Sequence, residues 1–192
     1  MTPKHSDLND EELVELAKGG DSEAFGRLYD RHLTGVGRAL ASFAGPDRDT
    51  LDDLIQDVFY RVIDNIHSYS ARRPFSNWLY TVALNVGRNF VRRRSKVVLL
   101  DPEDFNGYSN NNDQLPGLSE ELFGMYLIKQ VSYLPAPQQE VVSLRIGAGL
   151  PYGEIGRQLD IPEGTARSRM HQALASLRAG LGIDRTRRRK NE

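Results

Sequence analysis

The sequence predicts an all-α fold of two small helical domains joined by a flexible linker. Three observations carry that expectation. Almost every periodic stretch repeats its apolar residues three and four apart, as an amphipathic helix does. No segment alternates apolar and polar residues with period two, so no sheet is expected. Between two helical regions, residues 97–118 hold Asp101-Pro102, Asn106-Gly107, Asn110-Asn111-Asn112 and Pro116-Gly117, which are turn signals without an apolar stripe. They read as a tether.

The elements follow in order. Leu13, Val14, Leu16 and Ala17 begin an amphipathic pattern, and Ala24, Phe25, Leu28 and Tyr29 follow it. Leu51, Leu54, Ile55, Val58, Phe59, Val62 and Ile63 form the next stripe. Trp78, Leu79, Val82, Ala83, Val86 and Phe90 form another. Past the tether, patterning resumes near Ser119 with Leu122, Met125, Tyr126, Ile128 and Lys129, leading to Val131. The expected boundaries are 1–96, 97–118, 119–182 and a basic tail, 183–192.

Composition excludes several classes. The chain has 192 residues, 39% of them hydrophobic, enough for one or two globular cores. No apolar run reaches the length of about 18 residues that a membrane span needs, so no membrane insertion is expected. The acidic beginning MTPKHSDLNDEEL lacks the apolar stretch of a signal peptide. There is no cysteine, which excludes disulfides, thiolate zinc sites and cysteine nucleophiles and fits a cytosolic location. No cofactor is implied.

The net charge of −1 hides a strong pattern. Residues 1–70 carry −7, residues 71–96 carry +7 without one carboxylate, residues 97–143 carry −6 and residues 144–192 carry +5. Two basic blocks, each preceded by an acidic one, suggest two surfaces that face polyanions. The alternative is ordinary solvated faces.

Residues Leu150 to Leu177 read as a helix-turn-helix. Leu150-Pro151 opens a short helix, since proline at a first helical position sacrifices no hydrogen bond. Asp160-Ile161-Pro162-Glu163 forms the turn, with capping-box spacing from Asp160 to Glu163 and Pro162 in the first turn of the second helix. There, Ala166, Met170, Ala173, Leu174 and Leu177 share a face that packs inward. Arg167, Ser168, His171 and Gln172 share the other. Arg suits guanine, Gln suits adenine and Ser suits either, and these residues lie in the half of the helix that enters a major groove. N–H groups near Gly164 and Thr165 favour a phosphate. The alternative is a structural hairpin with a polar outer face.

The acid-free block interleaves bases with rings. Arg72-Arg73 precede Pro74-Phe75, and the helix after them carries Trp78, Tyr80, Asn85, Arg88, Asn89, Arg92, Arg93 and Arg94. Rings that stack on bases beside arginines that track phosphates suit single-stranded nucleic acid. Trp78 and Phe75 also fit a plain core role. In the helix before it, Asp52, Asp53, Gln56 and Asp57 lie opposite the apolar stripe. That face repels DNA and suits a basic protein partner. Plain solvation is the alternative, and a carboxylate metal site is disfavoured because consecutive residues diverge on a helix.

Taken together, the motifs resemble an extracytoplasmic-function (ECF) sigma factor, the compact type that directs bacterial RNA polymerase to promoters. Asp21-Ser-Glu-Ala-Phe25 with Leu28-Tyr29 and Arg31 resembles the first helix of the family's domain two. Asp52-Asp53-Leu54-Ile55-Gln56-Asp57-Val58-Phe59 resembles its "EDLxQEVF" motif, and Phe75-Ser-Asn-Trp78-Leu79 with Ala83, Asn85 and Arg92-Arg93-Arg94 its "FxxWLxxIAxN…RRR" motif. Leu134-Pro135 through Leu144-Arg145, Tyr152-Gly-Glu-Ile155 and Gly164-Thr-Ala-Arg-Ser-Arg169 resemble its domain four. Five motifs in order, spanning most of the chain, are a specific match.

The resemblance implies roles. Asp52, Asp53, Gln56 and Asp57 dock on the polymerase β′ clamp, and the β flap is a second contact. The loop from about His67 to Pro74, with Arg72, Arg73, Trp78 and Asn85, captures a flipped −10 base. Arg88, Arg92 and Arg93 hold the melting duplex. Thr165, Arg167, Ser168, Arg169, His171 and Gln172 read the −35 element. The tether runs through the polymerase active-site channel, and an anti-sigma factor masks these surfaces. The protein is expected to be cytoplasmic and not an enzyme. A dimeric repressor would leave the acidic face and the base-capturing loop without a role, and no convergent catalytic set supports a metal-dependent nuclease built on Asp52, Asp53 and Asp57.

Departures from the family pattern stand at Gln139, where a basic residue is frequent, and at Ala166 and Met170, which replace larger aliphatics. Gly153 and Gly156 are each expected to weaken their helix by about 1 kcal/mol relative to Ala. The chain ends soon after domain four, so no fused sensor module is expected.

Overall fold

A computed structural model describes residues 7–98 and 120–181. Among them there is no strand, and eight α-helices carry the fold. None is long and apolar enough to cross a membrane.

The first pattern divides into two helices. α1 (Asp10–Lys18) starts with a reciprocal cap: Asn9 Oδ1 accepts the Glu12 N–H, and Glu12 Oε2 accepts the Asn9 N–H. It stops at Gly19-Gly20. The Asp21 carboxylate then caps α2 (Ser22–Ala44) by accepting from Glu23 and Ala24 at 3.0 Å each. α3 (Arg48–Asn65) is capped by Asp47 and ends in a short 3₁₀ turn, Ile66–Ser68. A loop leads to α4 (Phe75–Val98). The helix therefore runs two residues beyond the expected boundary at 96. The rest of the tether expected at 97–118, and the basic tail at 183–192, lie outside the described residues.

The second half comprises α5 (Glu120–Ser132), α6 (Ala136–Val142), a π-helical turn at Ser143–Gly147, α7 (Tyr152–Leu159) and α8 (Glu163–Gly180). α2 is the central element, packing against α1, α3 and α4 on one side and against the Ser143–Gly147 turn and α5 on another. Buried apolar residues of both halves join in one continuous cluster, from Leu13 and Val58 to Ile155 and Ala173.

Three expected core residues are not buried. Leu16, Ile63 and Leu174 each sit at the edge of an apolar stripe, and each is exposed in the structure. A stripe of three residues per two turns already fills the contact, so a fourth at its margin faces water. Met125 is exposed for the same reason.

The two halves meet where α2 ends. In a helix, Ser42 O would accept the N–H four residues on, but that residue is Pro46, which has none. Gln139 Nε2 donates to this carbonyl instead. Ser143 Oγ donates to Ala39 O at 2.7 Å. The departure from family pattern at Gln139 thus has a local reason: its side chain is buried, and a charged residue there would lose water without an anionic partner.

α1 is fastened to α2 by Asp10. Its carboxylate accepts from Arg31 at 2.6 Å and shares a hydrogen bond with His32 at 2.7 Å. These partners, His32 first, hold the Asp10 carboxyl below the usual carboxylate range despite partial burial. A pKa lowered in the folded state gives stability that is present above the unfolded value and lost as pH falls through the folded one. In thermal melts, Asp10→Asn is expected to melt below wild type at neutral pH. The gap is expected to close as pH is taken below about 4; a gap independent of pH would remove this role from Asp10.

Candidate nucleic-acid interface

The loop from Tyr69 to Pro74 is held at both ends. Tyr69 OH donates to Arg73 O at 2.7 Å, closing the loop on itself. Lys18 Nζ donates to Tyr69 O at 3.1 Å and lies 5.6 Å from the centre of its ring. The Phe75 N–H, one of the unpaired donors of the α4 N-terminus, donates to Glu11 Oε1 at 3.0 Å. Phase and position of α4 are thus set by α1. Burial, followed by the negative charge of Glu11, pushes the Tyr69 phenol up to about 12. It therefore stays a neutral donor across all working pH.

Rings complete the scaffold. Phe75 is fully buried and meets the edges of both His32 and Tyr69. Trp78 is half-buried and lies 5.7 Å from Tyr69 and 5.8 Å from Phe75. The core reading holds for Phe75. Trp78 packs on that core with one side and lines a cavity with the other.

That cavity has a volume of about 450 Å³. Arg72, Arg73 and Trp78 line it. Ser68, Tyr69 and Ser70 of the expected loop also line it, as do Asn77, Thr81 and, from α7, Glu154, Arg157 and Gln158, which sequence reading does not single out. A signal existed: Asn77, Thr81, Asn85, Arg88 and Arg92 recur at four, four, three and four residues, one stripe of α4. Asn85 is exposed on this stripe, beyond the cavity lining. Arg92 and Arg93 are exposed. Arg88 is not free; its Nε donates to Glu140 Oε1 of α6 at 2.6 Å.

On α3, Asp52, Asp53 and Gln56 are exposed. Asp57 is half-buried and pairs with Arg61 through two bonds of 2.9 and 3.2 Å. Tyr60 (64% exposed) and Ile63 (49%) extend this face, so it is acidic and apolar together. Sequence reading assigned Ile63 inward and passed over Tyr60. No group of three or more His, Asp or Glu among the described residues is placed to hold a metal.

The helix-turn-helix is present, with a different turn. The residue preceding α8 is Pro162, which provides no side-chain cap. Asp160 does not cap α8; it adopts a left-handed conformation (φ 54°) and closes α7. The Thr165 N–H is taken by Pro162 O at 2.9 Å, so it is not available to a phosphate as expected. Ala166, Met170 and Ala173 are buried against α6 and α7. Arg167, Ser168, His171 and Gln172 are exposed together, whereas Thr165 and Arg169 are half-buried at the margins. Arg167 is steadied by Glu163 at 2.6 Å and by the Tyr152 ring at 5.0 Å.

Gly156 has a steric reason that propensity does not reveal. A Cβ there would stand 2.7 Å from Ile161 O, so glycine is what lets α7 close on the turn.

Comparison with known proteins gives a consistent picture. The family model "Sigma-70 region 2" matches residues 28–97 and "Sigma-70, region 4" matches residues 132–179. The ECF RNA polymerase sigma-E factor of Escherichia coli K12 is 31% identical over 176 residues, covering 86% of this chain and 91% of that protein. Among solved structures, CnrH in complex with the cytosolic domain of CnrY superimposes with a TM-score of 0.68 at 23% identity, over 91% of this chain and 98% of that one. The sigma factor RpoE in complex with the anti-sigma factor NepR, from Bartonella quintana, gives 0.61 at 22% identity, over 82% and 98%. At such identities the two structures speak for the fold.

Gly156→Ala is expected to lower stability by about 1–3 kcal/mol through overpacking. Gly153→Ala, whose Cβ meets only the end of Glu163 at 3.4 Å, is expected to gain up to about 1 kcal/mol. Chemical denaturation of both variants checks the pair; equal effects would refute the steric account.

Proposed function

The chain belongs to the ECF RNA polymerase sigma factors, non-enzymatic proteins of transcription initiation, and from that membership we propose which of its surfaces performs each part of promoter recognition. Residues 1–96 bind core polymerase and the −10 element. Residues 97–118 are the tether, which runs through the active-site channel. Residues 119–182 read the −35 element, and 183–192 are a basic tail.

The observation that carries this reading is the cavity at the start of α4. It is walled by rings and arginines and continues into a polar, basic stripe. Extruding a base from duplex DNA costs a few kcal/mol, which a receiving pocket must offset. Stacking on an aromatic ring such as Trp78 contributes about 1–3 kcal/mol per base. Asn77 and Thr81 provide polar groups at the pocket wall, and Arg72, Arg73, Arg92 and Arg93 hold phosphates. Asn85 meets the strand as it leaves the pocket.

The α3 face with Asp52, Asp53, Gln56 and Asp57 docks on the basic β′ clamp of polymerase, its charge giving orientation and Tyr60 and Ile63 giving apolar area. The β flap engages the second domain. Arg167, Ser168, His171 and Gln172 enter the −35 major groove, with Thr165 and Arg169 at its edges. An anti-sigma factor covers these surfaces when the protein is idle. The protein works in the bacterial cytoplasm, where polymerase is, and has no catalysis of its own.

The reading is tested by adding the full chain to core RNA polymerase with a promoter library and sequencing the transcripts. Starts fixed by paired −35 and −10 motifs are expected. A palindromic footprint by the protein alone, without specific starts, would overturn it. Within that assay Arg167→Ala is expected to cost roughly 1–3 kcal/mol of discrimination at one −35 position. Unchanged preference at every −35 position would remove Arg167 from the reading set.

A further inference from the structure

Resting on the reading of α4 as a DNA surface, we propose that the second domain closes over that surface in the free protein and guards it with two carboxylates, Glu140 and Glu154, set where DNA phosphates and bases would lie. The block 71–96 has no acidic residue of its own. Yet two of its DNA-facing side chains already hold carboxylates. Arg88 Nε donates to Glu140 Oε1 at 2.6 Å, and Asn77 Nδ2 donates to Glu154 Oε2 at 3.1 Å. Residues 123–181 contain four carboxylates in all, and these are the two that cross to the acid-free block. The Glu140 side chain is 14% exposed and holds the Nε of Arg88, so a phosphate approaching this 40% exposed arginine meets a charge already paired.

The cavity is walled on the same side by the second domain. Glu154, Arg157 and Gln158 of α7 line it opposite Tyr69, Arg72 and Trp78. A base entering the pocket therefore meets the side chains of α7, Glu154 among them. The closure is fastened away from the DNA surface, by Gln139 on the Ser42 carbonyl, by Ser143 on the Ala39 carbonyl, and by Gly147. A Cβ at Gly147 would stand 2.5 to 2.8 Å from the backbone of Arg38 and Ala39, so the two halves approach there as closely as glycine permits.

The arrangement is asymmetric. Arg167, Ser168, His171 and Gln172 stay exposed in the closed form. The free chain thus presents its −35 reader and withholds its −10 surface. A partner that draws the halves apart uncovers the second reader.

Two independent handles test this in the full-length chain. Glu140→Gln with Glu154→Gln removes the guarding charges at constant shape. Gly147→Val wedges the interface and leaves both carboxylates in place. Binding is read by anisotropy of a fluorescein-labelled single-stranded DNA pool of random sequence. Opening is read by energy transfer between dyes at Arg27→Cys and Ser176→Cys, in a chain with no other cysteine. The double glutamine variant is expected to bind the pool several-fold more tightly than wild type, and Gly147→Val to do the same with reduced energy transfer. Unchanged affinity in both variants, with circular dichroism showing folded protein, would overturn the guard. If Gly147→Val fails to fold, the glutamine variant decides alone. Adding Arg88→Ala and Asn77→Ala to the glutamine variant separates the two claims: the gained affinity should vanish, and its full persistence would mean that the gain does not come from the guarded α4 side chains even though the halves close.

Discussion

The backbone N–H of Phe75 has no acceptor in its own helix, and Glu11, from the first helix of the chain, supplies one. Much of the molecule's chemistry hangs on that bond. It fixes where α4 begins, and with it the angular position of every residue on the Asn77–Arg92 stripe. It brings α1 against the loop, so that Lys18 reaches the Tyr69 carbonyl and Tyr69 reaches the Arg73 carbonyl. The rings of Tyr69, Phe75 and Trp78 then have one packing, and the cavity beside them one shape. Loosening this end of α4 would change the aim of all the arginines on it at once.

Electrostatics divides labour that packing alone would leave undefined. The core is continuous across both halves, so burial does not distinguish their tasks. Charge does. The carboxylates of α3 lie on a face where DNA is repelled, and the arginines of α4 on one where it is attracted. In the second half, the exposed face of α8 with Arg167, Ser168, His171 and Gln172 is polar and basic, while α6 and α7 turn Glu140 and Glu154 toward α4.

Much of this was legible in the sequence, and the exceptions have identifiable causes. Helix types followed from periodicity, because three- and four-residue spacing admits few other readings. The split between α1 and α2 follows from Gly19-Gly20 and the Asp21 cap. Ile63 and Leu174 were misassigned because periodicity marks a stripe without marking its width. Asp160 was read as a cap of α8, but only the backbone reveals that it closes α7 in a left-handed conformation. Gly156 looked like a weakness until the Ile161 carbonyl appeared beside it. The cavity wall at Asn77 and Thr81 was within reach of the same spacing rule that found Arg88 and Arg92. The contacts of Glu140 and Glu154 were not, since they depend on how two halves dock across a tether.

The proline at 46 has a consequence for how firmly that docking holds. It leaves the Ser42 carbonyl without its helical donor, and Gln139 fills the vacancy. When the halves part, water takes the same carbonyl, so the exchange is worth only about 0.5–1.5 kcal/mol net. The Arg88–Glu140 pair, with its arginine 40% exposed, adds about 1 kcal/mol or less. Polar contacts of this kind add little to the docking, which rests mainly on the apolar cluster that both halves share. A partner of micromolar affinity brings about 8 kcal/mol, and the part of it spent differentially on the open form is what shifts the populations. A single helix-ending proline thus makes one tie between the halves that water replaces at little cost.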